Sequence, residues 1–210
     1  MKTNKLFSII LAGVLAATAV VSASAQTLEG TLADSERTAD TEVKAKIEAA
    51  QPGDVSYIIT IPDSVDFGTL HQPETYSDSN KYVSCDITAT EIKNFNNKQF
   101  VEVHVKDTDS EDEKFYITQK DTEEPFKINY DVYEREVTEE NIDQYSPVTD
   151  SAPGTYGYHI CSFGNGSEGT SQRMTLVLNQ KAIYDKNLND IAGDYSGTMV
   201  FHSKIITLGE

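Results

Sequence analysis

Tryptophan is absent from this 210-residue chain, and cysteine (two), methionine (three) and histidine (four) are scarce. Basic residues are also few, with 17 Lys and Arg against 34 Asp and Glu, giving a formal charge of −17 at pH 7. A polyanion of this kind repels nucleic-acid phosphates and anionic lipid, so binding either would need a local basic cluster. No run of five Lys or Arg occurs, and neither nucleic acid nor membrane is an expected partner of the processed chain. The apolar share is a modest 38%, yet 11 Tyr and 8 Phe are present. That is too much aromatic surface for a disordered chain.

Long apolar runs are missing except at the start. Lys2 and Lys5 precede an almost unbroken apolar stretch from Leu6 to Val21, and Ala23-Ser24-Ala25 sets small residues before Gln26. A basic start, an apolar middle and a small-residue cut site make a secretory signal peptide, read here as residues 1–25. The stretch falls short of the roughly 20 residues that span a bilayer as a helix. No cysteine lies there for lipid attachment, and Ile205 to Glu210 carry no sorting sequence. The product is expected outside the cell, secreted or held to the wall without a covalent bond, with no membrane contact after cleavage.

Residues 26–54 read as a polar leader ending at Pro52-Gly53. Val43, Ile47 and Ala50 fall at helical spacing with Thr41 placed to cap, so this leader is either one short helix or a flexible segment. From residue 55 the period becomes two. Val83, Cys85, Ile87 and Ala89 alternate with polar residues, as do Val101, Val103 and Val105, then Phe126, Ile128, Tyr130 and Val132. Met174, Leu176 and Leu178 continue the pattern, followed by Tyr195, Gly197, Met199 and Phe201. Segments 57–61, 115–119 and 156–163 add three more strands. Side chains on a strand point alternately to opposite faces, so one face of each is buried. About eight or nine strands without long helices predict an all-β fold over 55–210. The expected form is an antiparallel sandwich, immunoglobulin-like or pilin-like.

Candidate sites are sparse. Cys85 and Cys161 are the only cysteines, and in an oxidising compartment they are a candidate disulfide; two separate buried thiols are the alternative. Their separation excludes a CxxC redox or metal site. Gly164-Asn165-Gly166-Ser167-Glu168-Gly169 matches GxGxxG but leads into another strand pattern at Arg173. It therefore reads as a glycine-rich hairpin loop, not a dinucleotide site. The four histidines (71, 104, 159, 202) lie in separate segments without HxH or HExxH spacing, and read as solvated or strand-face residues rather than zinc ligands. Asp107, Asp109, Glu111 and Asp112 crowd one loop. Calcium takes such oxygens, so they are the weak calcium candidates, with a solvated acidic loop as the default. No other cofactor is expected, and no catalytic set is assigned.

Two segments carry a resemblance. Ile61-Pro62-Asp63-Ser64-Val65-Asp66-Phe67-Gly68-Thr69-Leu70 is similar to the opening of WxL-type surface domains of Gram-positive bacteria. Ala192-Gly193-Asp194-Tyr195-Ser196-Gly197-Thr198-Met199-Val200-Phe201 resembles their closing strand and that of secreted pilin-like or spore-coat-U-like sandwiches. The resemblance implies an exported, envelope-associated β-sandwich. With no tryptophan in the chain, no binding residue is carried over from that family.

The function expected is a non-enzymatic one at the bacterial cell surface or in the extracellular matrix, in adhesion or surface assembly. Its partner would be a cell-wall component, a glycan or another surface protein, and an edge strand such as 195–205 could pair with a second copy. The alternative is an extracellular carbohydrate-binding module, with Tyr116, Tyr133 and Tyr158 as contributors to a sugar-stacking face.

Overall fold

Alternating apolar side chains close two sheets on one core. The computed structural model describes residues 25–31, 37–39, 53–76, 79–108 and 112–209. Among them are eleven strands: β1 (Ala25–Thr31), β2 (Arg37–Ala39), β3 (Ser56–Pro62), β4 (Asn80–Lys93), β5 (Gln99–Asp107), β6 (Phe115–Gln119), β7 (Lys127–Tyr133), β8 (Tyr158–Gly164), β9 (Ser171–Asn179), β10 (Tyr195–Ser196) and β11 (Met199–Thr207). A wide sheet runs in the order β1-β3-β4-β9-β7-β6-β10 and a narrow one in the order β2-β11-β5-β8. Every pairing is antiparallel. The predicted antiparallel β-sandwich is the observed architecture.

The core joins both sheets. Tyr57, Ile59 and Ile61 of β3, Ile128, Tyr130 and Val132 of β7, and Met174, Leu176 and Leu178 of β9 face Val101, Val103 and Val105 of β5. One polar contact crosses it, where the Tyr57 hydroxyl and Ser203 Oγ lie 2.9 Å apart. Burying a hydroxyl pair is tolerable because each satisfies the other.

Strict alternation fails at two bulges, and both failures keep apolar groups inside. In β4 the register slips beside Ile58/Ile59, so Ala89 pairs with Ile59 and Ile92 with Tyr57, although 89 and 92 are three apart. In β8 the slip lies beside Val103/His104. Ile160 and Cys161, adjacent in sequence, both join the core there. An extra residue on one strand is what a bulge supplies, and simple alternation assigns Ile160 to the outer face.

Three elements differ from the expected organisation. β1 and β2 lie in the stretch read as a leader, pairing with β3 and β11 respectively; the short helix expected over 41–50 and the signal region up to residue 24 lie outside the described residues. The last predicted strand is two. Tyr195–Ser196 pairs with β6 in the wide sheet, and from Met199 the chain pairs with β5 in the narrow one. Finally, the glycine-rich segment 164–169 is not a hairpin. It carries the chain from β8 in the narrow sheet to β9 in the wide one, with Gly166 and Gly169 at positive φ.

β9 is buried on both faces because the loop after β7 folds over its outer side. Thr175 anchors that loop, its hydroxyl donating to the Arg135 carbonyl (2.9 Å) and accepting from the Val137 amide (3.1 Å). Tyr133, Val137 and Val177 form a second small cluster beneath it.

The candidate disulfide is not formed. Cys85 stands on β4 opposite Met174, Cys161 on β8 opposite Val103, and both are free thiols in different sheets. Burial pushes each thiol up to about 12, helped by Asp86 at Cys85 and Glu134 at Cys161. At pH 8 a thiol with that value is ionised to roughly one part in ten thousand, and only the thiolate is nucleophilic. The folded protein should therefore stay unreacted with Ellman's reagent at pH 8 and yield two thiols once unfolded without reductant. Rapid native labelling, or silence after unfolding, would contradict this arrangement.

Candidate functional site

A cleft of about 900 Å³ opens into the core. One wall is the segment 62–70 that follows β3, and the opposite wall is 191–197, which leads into β11. These are the two segments that carry the family resemblance, more than a hundred residues apart in sequence and facing each other in space. Ile117, Ile128, Tyr130 and Leu176 of the wide sheet and Phe201 of the narrow one complete the lining.

After Pro62 the first wall lies outside every helix and strand. Val65 and Phe67 pack on the core while Ser64 and Asp66 are exposed, the period-two pattern of a strand. The Phe67 ring lies 5.6 Å from that of Tyr130. Gly68, at φ +66, then turns the chain, and its amide donates to Asp66 Oδ1 at 2.7 Å. Residues 64–70 nevertheless join no sheet and make no backbone–backbone hydrogen bond among the described residues.

Three glutamines fix the walls. Gln180 Oε1 accepts the His71 amide (2.7 Å), and Gln180 Nε2 donates to Ser79 Oγ (2.9 Å). Gln72 Nε2 donates to the carbonyls of Ile183 (2.8 Å) and Lys186 (2.9 Å). Gln119 Nε2 donates to the carbonyls of Asp190 and Ala192, and its Oε1 accepts the Phe126 amide. Gln180 and Gln119 engage both ends of their amides and Gln72 bridges two carbonyls with one, which holds the loops in one geometry. The helical turn Leu188–Ile191 is further tied by the Tyr195 hydroxyl, which donates to the Ile191 carbonyl at 2.6 Å. Sequence reasoning assigned none of these glutamines a role, because a polar side chain facing a distant loop leaves no periodic signal.

Electrostatically the cleft is one-signed. Asp63, Asp66 and Asp194 lie in its lining, which among the described residues contains no Lys, Arg or His. At its floor, burial and then Asp107 raise the Tyr130 phenol well above its usual range, so it stays a neutral hydroxyl group. Burial also raises Tyr195.

A second cluster occupies the outer face of the narrow sheet. His104 and His202 stand directly opposite on β5 and β11. Tyr156 stacks on His202 with ring centroids 4.0 Å apart, while His159 approaches His104 edge-on at 5.5 Å. Glu102 Oε2 lies 3.2 Å from His104 Nε2, and Lys204 Nζ sits 4.5 Å above the Tyr156 ring. Strand pairing thus gathers three histidines that the sequence shows only as separate; His71 is elsewhere. They lie on strand faces as expected. No group of three or more His, Cys, Asp or Glu side chains among the described residues is arranged to hold a metal ion.

The remaining candidates separate. Asp107 Oδ2 accepts the Tyr116 amide (2.9 Å) and Asp112 Oδ2 accepts the Tyr116 hydroxyl (2.7 Å). Those two calcium candidates are engaged by one tyrosine, and that hydrogen bond, foremost among the causes, raises the Tyr116 phenol. Asp109 and Glu111 lie outside the described residues. Tyr133 and Tyr158 are only 4% and 6% exposed, which removes both from a sugar-facing surface. Among the described residues the exposed large aromatic is Tyr76, packed edge-on against Tyr184 with Lys181 Nζ 4.3 Å from its ring centre.

No family model matches the chain, and no curated protein matches it significantly. Among solved structures it is similar to a chain from a chaperone–tip adhesin complex described as vital for synergistic activation of CFA/I fimbriae biogenesis. The identity is 13% and the TM-score 0.41, over 74% of this chain and 53% of that one. The chain spans about half the length of the protein it matches.

Proposed function

We propose that this chain is a secreted, non-enzymatic bacterial β-sandwich that acts at the cell surface, in adhesion or surface assembly, by seating another surface molecule in the cleft between residues 62–70 and 191–197. The observation that carries this reading is the cleft itself: apolar inside, polar at its rim and braced by Gln72, Gln119 and Gln180. Large, well-formed apolar concavities with a few convergent polar groups are the places where proteins bind. The signal-like start of the sequence supports delivery outside the cell. Fractionating producing cells into medium, wall and membrane tests the location, and a photo-crosslinker placed at exposed Thr69 or Ala192, against one at exposed Lys106, tests the surface used. The chain is expected in the medium or salt-washable wall fraction, crosslinked to a surface component from the cleft positions only. Retention inside the cell, or crosslinks equally strong from Lys106, would overturn the reading.

A further inference from the structure

We propose that the cleft takes an extended peptide whose apolar side chains alternate with lysine or arginine, and that this peptide adds as a strand beside residues 64–67. The proposal rests on the reading of the cleft as the binding surface and names the chemistry of its occupant.

Three observations converge. First, residues 64–67 lie outside every helix and strand, their side chains alternate in and out, and among the described residues their backbone amides and carbonyls pair with no other strand. A row of unpaired backbone groups beside an apolar trough is what strand addition uses: main-chain hydrogen bonds supply affinity and pockets for alternate side chains supply selection. Second, the trough offers Ile117, Ile128, Tyr130 and Leu176, so every second side chain of the guest must be apolar. Third, among the described residues the lining carries Asp63, Asp66 and Asp194 and no cation. A guest with acidic flanks meets like charge, whereas a basic one is attracted and steered. The same argument weighs against a second copy of this chain, since each carries −17.

The probe is a short fluorescein-labelled synthetic peptide of alternating valine and lysine, titrated into the full chain by anisotropy, with a valine–glutamate peptide as its control. The valine–lysine peptide should bind and the valine–glutamate peptide should not. Asp66→Asn, which keeps the oxygen that caps Gly68, combined with Asp194→Asn should weaken binding about tenfold at low salt, with the difference shrinking at high salt. Hydrogen exchange should show new protection at the amides of Val65 to Phe67 when peptide is present. Equal binding of both peptides, unchanged affinity in the double variant, or protection confined to another edge strand would overturn the proposal. So would a concentration-dependent dimer that protects Val65 to Phe67 without peptide, because a second copy would then be the occupant. Peptide binding does not depend on where the cell delivers the chain. Binding by a chain retained inside the cell therefore removes only the surface reading, and a surface chain that ignores the peptide removes only this one.

Discussion

Replacing Gly197 with alanine should lower folding stability by about 2–3 kcal/mol, the scale of forcing atoms into a packed site. A Cβ at this position would sit 2.0 Å from the Tyr116 carbonyl oxygen and 3.1 Å from its carbonyl carbon. Both are backbone atoms of β6, so no side-chain rotation relieves the contact and the two segments must part. Gly197 follows β10, the two-residue strand that pairs Tyr195 with Gln119 and Ser196 with Thr118. Parting therefore unpairs the edge of the wide sheet and shifts one wall of the cleft. Gly166 provides the comparison. It has φ +84 with nothing within 4 Å of its notional Cβ, so Gly166→Ala meets only the left-handed backbone cost of about 1 kcal/mol. Urea unfolding of both variants, with hydrogen exchange at Tyr195 and Ser196, separates contact from conformation. If Gly197→Ala unfolds at the same urea concentration as Gly166→Ala, the close approach of 197 to β6 is wrong.

Period-two patterning made most of this fold legible, since one face each of β5, β7 and β9 turns to the shared core. It misled where the chain changes sheets. Tyr195, Gly197, Met199 and Phe201 stand at period two in the sequence, yet Tyr195 pairs with β6 and Phe201 with β5. Alternation records which side chains are buried, not which neighbour supplies the hydrogen bonds, so a strand that crosses between sheets reads as continuous. The same limit hid the meeting of His104 with His202 and the function of Gln72, Gln119 and Gln180. Each depends on register between segments distant in sequence. The cleft itself left a trace, because both of its walls carry the motif-like segments. What could not be read was that a wall near residue 65 and a wall near residue 194 face each other.

Phe115→Ala is expected to be the most damaging single truncation, at about 3–5 kcal/mol, a large part of the 5–15 kcal/mol typical of a domain. Phe115 opens β6 and is 0% exposed. Its ring lies 5.6 Å from Tyr130 of the wide sheet and 5.9 Å from Tyr158 of the narrow one. It is therefore the aromatic pin between layers, and its removal leaves a cavity that two rigid sheets cannot collapse to fill. The consequence reaches the cleft. Tyr130 has Phe115 as one ring neighbour and Phe67 as another, both at 5.6 Å, so losing Phe115 frees the floor on which the 62–70 wall rests. Phe115→Leu keeps most of the volume and should cost less than about 1.5 kcal/mol, as near-volume-conserving swaps do. Urea unfolding ranks the two variants, and near-ultraviolet circular dichroism reports the tyrosine environment. The alanine variant should lose fine structure from Tyr130 and Tyr158 along with its stability, and the leucine variant should retain both. A Phe115→Ala protein as stable as Phe115→Leu would mean that the space between the sheets closes without the ring, and that Tyr130 and the wall above it are held by something other than this stack.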